Sequence, residues 1–135
     1  MIDVPQTDSV SLAQMRQASA FDVLLPAWLP AKTDVVSYRW WSAGNVVEIH
    51  TCTREKFADD LTGRLTMKEW TGGVSAESAI ISTTPGFEVR VVAANSWLYS
   101  SGDPDVWLGV VGDVNILIST VFDADEVQRV IESLR

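Results

Sequence analysis

The stretch V-W-L-G-V-V-G-D-V-N-I-L-I-S-T, residues 106–120, decides the fold. Val106 to Val111 and Val114 to Thr120 are rich in Val, Ile and Leu, and Gly112-Asp113 separates them. Branched side chains are stiff and pack well on a pleated surface, so both runs read as strands. Glycine at the first central position suits a type II′ two-residue turn, so the segment predicts an antiparallel hairpin. Strands this apolar belong near the middle of a sheet.

On the C-terminal side, Val127, Val130, Ile131 and Leu134 fall on one helical face. Asp123 stands before them with Glu126 three residues on, a helix start, and Arg129 and Arg135 sit toward the negative end. On the N-terminal side, Phe87, Val89, Val91 and Ala93 alternate with Glu88 and Arg90, the period of a half-buried strand. Trp97 to Ser100 extends the strand region, and Ser101-Gly102-Asp103-Pro104 is a turn. Ala79 to Thr83 is a short strand candidate ended by Pro85-Gly86. Further back, Leu65 and Met67 alternate with Arg64, Thr66 and Lys68 up to Trp70, before Thr71-Gly72-Gly73 breaks the pattern. Arg54 to Thr62 reads as an exposed connection. Val36, Tyr38 and Trp40 alternate with Ser37 and Arg39, and Val47 and Ile49 with Glu48 and His50. Ser42-Ala43-Gly44-Asn45 between them makes a hairpin.

Ser11 opens a short helix through about Ala18, with Gln14 at capping-box spacing. Phe21 to Pro30, F-D-V-L-L-P-A-W-L-P, carries two prolines that fix φ and donate nothing, so it is an extended buried connector. The expectation is an α+β fold: a curved antiparallel β-sheet meander with a short N-terminal helix and a C-terminal amphipathic helix. One sheet face is expected to be covered and the other largely wet. Residues 1–10 are expected to be a flexible N-terminal segment, and residues 11–135 a single α+β domain.

With 47% hydrophobic and 21% charged residues the chain of 135 can bury a core without staples. Ten Lys and Arg against 18 Asp and Glu give a net charge of −8, a field that repels phosphate, so nucleic acid is excluded as a leading partner and anionic membranes are disfavoured. Cys52 is the single cysteine, so no intrachain disulfide forms. Met1 to Val10 lacks the basic start and apolar run of a signal peptide, and Phe21 to Ala31 is too short to span a bilayer. Membrane insertion of this chain is not expected. Nothing in the sequence sets the oligomeric state.

Glu48, His50 and Cys52 alternate on one strand, so an acid, a base and a thiol share a face. A zinc site needs more Cys or His ligands than the chain holds, and the plain reading is a polar strand face with an inert thiol. Asp59-Asp60, Asp103 with Asp105, and Asp123 with Asp125 and Glu126 are explained by a connection, a turn and a helix cap. No phosphate-loop or nucleophile-elbow motif is present. No catalytic residue, metal or cofactor is therefore expected. Six tryptophans, Trp28, Trp40, Trp41, Trp70, Trp97 and Trp107, are the unusual feature. Adjacent Trp40 and Trp41 must point to opposite faces. Core packing is the plain account. The sharper one makes Trp41, Trp97, His50 and Tyr38 the lining of an aromatic groove for a protein, peptide or apolar small ligand.

The run A-S-A-F-D-V-L-L-P-A-W-L-P, Ala18 to Pro30, resembles the opening of a bacterial domain family of unknown function. That family forms the extracytoplasmic end of anti-sigma-factor-like membrane proteins and of lipoproteins. The tryptophan-bearing strand and tight turn in Val106 to Thr120, and the closing Ile131-Glu132-Ser133-Leu134, fit the same pattern. Ala31-Lys32-Thr33 departs from it where a Gly-containing turn is frequent. The resemblance implies a non-catalytic, outward-facing sensing, binding or scaffolding module, with no catalytic residues to carry over. A cytoplasmic interaction or assembly module is the alternative, and a small hydrolase using His50 a remote one.

Overall fold

The computed structural model describes residues 7–53, 64–72, 87–102 and 104–135. The elements are β1 (Thr7–Ser9), α1 (Leu12–Ala18), β2 (Thr33–Trp41), β3 (Val46–Thr53), β4 (Arg64–Trp70), β5 (Glu88–Val92), β6 (Asn95–Ser100), β7 (Asp105–Val111), β8 (Val114–Thr120) and α2 (Ala124–Glu132). The eight strands form one open antiparallel sheet in the order β1-β2-β3-β4-β8-β7-β6-β5. The expected α+β fold with a meander-like sheet is thus present, and the meander is interrupted once. After β4 the chain restarts at the far edge with β5 and returns inward, so β8 docks beside β4. The 106–120 hairpin lies near the middle, with Val111 opposite Val114 across Gly112-Asp113. Gly112 alone of the two turn residues has positive φ, as type II′ requires.

Both helices start as their sequences dictate. The Ser11 hydroxyl accepts from the Gln14 N–H, and the Asp123 carboxylate accepts from the Glu126 N–H. The Gln14 side chain does not close a capping box: it accepts from the Ser9 hydroxyl, which in turn accepts from the Ser11 N–H.

Two local expectations change. Thr7–Ser9, read as part of the loose N-terminal segment, pair with Tyr38 to Trp40 as an edge strand. Three residues are too few to show a two-residue period, and the neighbouring strand supplies the order. Ala93, read as a continuation of the Phe87–Val91 alternation, is instead a turn residue. Val92 pairs with Asn95 across Ala93 and Ala94, whose φ values are +51° and +66°. This is the backbone of a type I′ turn without the Asn-Gly that normally marks it, so the composition carries no turn signal. Ala94→Gly is therefore expected to raise stability by about 0.5–1 kcal/mol, the relief at left-handed φ exceeding glycine's entropy cost. A urea titration would show it as a higher midpoint at unchanged slope. The Ala79–Thr83 strand candidate and the Arg54–Thr62 connection lie outside the described residues, as does Gly73 of Thr71-Gly72-Gly73.

The connector and the C-terminus fasten to each other. The Leu25 N–H donates to the Arg135 carbonyl at 3.0 Å and the Arg135 N–H to the Leu25 carbonyl at 3.1 Å. Ser133 Oγ accepts from the N–H groups of Ala27 and Trp28, each at 3.1 Å, and donates to the Val130 carbonyl at 2.7 Å. The Arg129 guanidinium lies 4.1 Å from the centre of the Trp28 ring. These bonds satisfy a proline-broken backbone that cannot pair within itself.

Candidate functional site

Register and alternation divide the sheet into two faces. Tyr38, Ile49, Met67, Ile118, Trp107 and Tyr99 stand opposite one another across six strands, and all are buried. Trp40, Val47, Glu69, Ile116, Gly109 and Trp97 form the parallel row on the same face. Met15 of α1 and Val127, Val130 and Ile131 of α2 join these residues in one hydrophobic cluster, so both helices cover this inner face.

The outer face carries the rows Trp41–Val46–Trp70–Asn115, Arg39–Glu48–Lys68–Leu117–Leu108–Leu98 and Ser37–His50–Thr66–Ser119. It is half-buried for the most part and not the largely wet surface that alternation suggested. His50 Nε2 lies 3.0 Å from Glu48 Oε1. The hydrogen bond from His50 holds the Glu48 carboxyl below its ordinary range against the opposing effect of burial, with His50, Lys68 and Arg39 adding charge attraction. The Lys68 ammonium lies 5.6 Å from the centre of the Trp41 ring and 5.9 Å from that of Trp70. That is cation–π range for both indoles. Cys52 is buried on this same face. Among the described residues, no three His, Cys, Asp or Glu side chains gather to hold a metal ion.

The four residues read as one groove therefore do not converge. Trp41 and His50 are on the outer face, while Tyr38 and Trp97 are on the inner one. Tyr38 is buried, and that burial raises its phenol pKa against the charge of Arg16. Trp97 is fully buried and its ring lies flat over Gly109, where an added Cβ would come within 2.5 Å of Cδ2. Trp97 is a core residue because its partner strand supplies a glycine under it. No single-sequence signal couples positions 97 and 109, since the register that joins them is tertiary.

Two residues passed over in the sequence matter here. Trp70 lies in the same outer-face row as Trp41, across Val46 of β3, and the Lys68 ammonium reaches both rings. Its place at the end of the β4 alternation put it in phase with Lys68, which is a readable signal. Glu69 is in phase with Leu65 and Met67, and it is fully buried. Its Oε1 accepts from the Leu24 N–H at 2.8 Å, while Oε2 has no hydrogen-bond partner. Burial pushes its pKa up to about 8, only partly offset by the Leu24 N–H, so the carboxyl is neutral at pH 7.

No family model, curated protein or solved structure matches the chain.

Proposed function

We propose that this domain is a non-catalytic binding module, the extracytoplasmic part of an anchored bacterial protein, and that its outer sheet face is the recognition surface. The observation that carries the reading is the Trp41–Lys68–Trp70 arrangement: two half-buried indoles flank one ammonium on the face opposite both helices. Tryptophan gives large contact area at small entropic cost, and buried aromatic anchors dominate binding energies. Lys68 adds a cation for a carboxylate, Glu48 and His50 add directional polar groups, and the half-buried Leu117 and Leu108 continue the row as an aliphatic strip. A surface with aromatic, charged and aliphatic sectors suits a protein or extended peptide better than a small apolar molecule.

The extracytoplasmic placement is drawn from the resemblance.

The test is retention of cell components by the immobilised full chain. Wild type is expected to hold a component of the envelope fraction. Trp41→Ala and Lys68→Glu, with unchanged circular dichroism, are expected to weaken that retention about tenfold or more. Equal retention by wild type and variants would remove the outer face as the site. Retention only from the cytoplasmic fraction would favour an assembly module there.

A further inference from the structure

The two edges of the sheet differ. β1 is three residues long, and its Asp8 is held by Arg39 of the neighbouring strand. β5, at the other edge, is five residues long, and among the described residues no strand pairs with its outer side. Val89 is 48% exposed and Val91 72% exposed, both on the outer sheet face. Backbone donors and acceptors along such an edge are open to another strand, and the usual protections are brevity, charge and bulges.

We propose that the outer edge of β5 pairs antiparallel with β5 of a second copy, joining two eight-stranded sheets across a two-fold axis at Val89. The strand's own charges choose this register. Centring the pair on Glu88 or on Arg90 sets like charges directly opposite, which destabilises a sheet. Centring on Val89 sets each Glu88 opposite the other copy's Arg90, and each Phe87 opposite the other copy's Val91. A centre on Val91 avoids repulsion but leaves Arg90 opposite Val92 and runs the pairing into the Ala93–Ala94 turn.

Three features fit the Val89 register. Glu88 and Arg90 already approach each other within one strand at 3.5 Å, on the inner face, so the pairing builds a four-residue charge cluster. The Arg90 guanidinium is steadied by stacking 4.2 Å from the centre of the Tyr99 ring. The outer-face row Leu117–Leu108–Leu98–Val89 meets the same row of the second copy end to end, so the exposed valines cover one another in a continuous aliphatic strip. The two-fold is perpendicular to the sheet, which leaves the helices of both copies on the inner face. This pairing goes beyond the outer-face reading and does not depend on it.

The test is sedimentation of the full chain at about 0.15 M salt, where charges more than about 8 Å apart are screened. Wild type is expected to dimerise. Glu88→Arg and Arg90→Glu are each expected to weaken the dimer about tenfold or more, since each places like charges opposite one another twice. An equimolar mixture of the two variants is expected to recover dimer, because every opposed pair is then Arg with Glu. Circular dichroism of each variant checks folding. A mixture that stays monomeric while both variants are folded overturns the register. A wild-type chain that is monomeric at about 1 mM overturns the pairing itself.

Discussion

Glu69→Gln is expected to leave stability unchanged near pH 4 and to raise it by about 3–5 kcal/mol at pH 8, relative to the wild-type chain. Glu69 is fully buried, with a pKa moved from 4.5 to about 8 by loss of water. Below pH 4 the carboxyl holds its proton in both the folded and unfolded states, so it contributes nothing to the pH dependence. Between the two pKa values the unfolded chain releases the proton and the folded chain keeps it. Folding must then take up a proton from increasingly dilute solution, at about 1.4 kcal/mol per pH unit. Stability from this group is therefore full below the unfolded pKa, falls as pH rises, and levels off above pH 8. Gln keeps the acceptor for the Leu24 N–H at 2.8 Å and carries no titrating proton. Urea unfolding of both chains at the two pH values measures the difference. Parallel pH profiles in wild type and variant would show that Glu69 is solvated in the folded protein.

Gly44→Ala is expected to cost about 3 kcal/mol, from a left-handed backbone penalty added to a steric one. Ser42, Ala43 and Gly44 turn the β2–β3 hairpin with φ of +55°, +55° and +82°. At Gly44 an added Cβ would stand 1.9 Å from the Ala18 carbonyl oxygen and 2.9 Å from the Ala20 N. Neither atom is the end of a flexible side chain. The Ala20 N–H also donates to the Gly44 carbonyl at 2.9 Å, so the turn is bolted to the chain just beyond α1. Ala43→Gly, at the preceding left-handed position, serves as the control and is expected to be neutral or mildly stabilising. Thermal denaturation of both variants decides it. A Gly44→Ala chain as stable as wild type would mean that the exit of α1 is free to move away from the turn.

Much of the local structure was legible because its causes are local. The alternation in Ser37 to Trp40, Val47 to Ile49, Leu65 to Lys68 and Phe87 to Val91 follows from side chains pointing to alternate faces, and in β2 it is interrupted at Val36, where the β2–β3 register shifts. Ser11 and Asp123 mark helix starts because their oxygens reach N–H groups three residues on. Gly112 marks a turn because its φ is positive. The Ala93–Ala94 turn was missed for the converse reason: alanine carries no turn signature, and the strand pairing imposes the strained conformation on it. The candidate site was only half legible. Alternation shows that His50 and Glu48 share a face, and that Trp40 and Trp41 do not.

What alternation by itself determined, then, was two faces on every strand and a hairpin at 106–120. Which face the helices cover, and which strands become neighbours, was decided by tertiary structure. Pairing β4 with β8 joins Leu65 to Thr120 and Trp70 to Asn115, contacts separated by dozens of residues that no local pattern encodes. That pairing puts Glu69 beside Ile116 under the connector and so neutralises it. Pairing β6 with β7 sets Trp97 over Gly109 in the core, while β3 places Trp41 and Trp70 in one outer-face row across Val46. Period is a property of one strand, whereas burial is a property of what packs on the sheet.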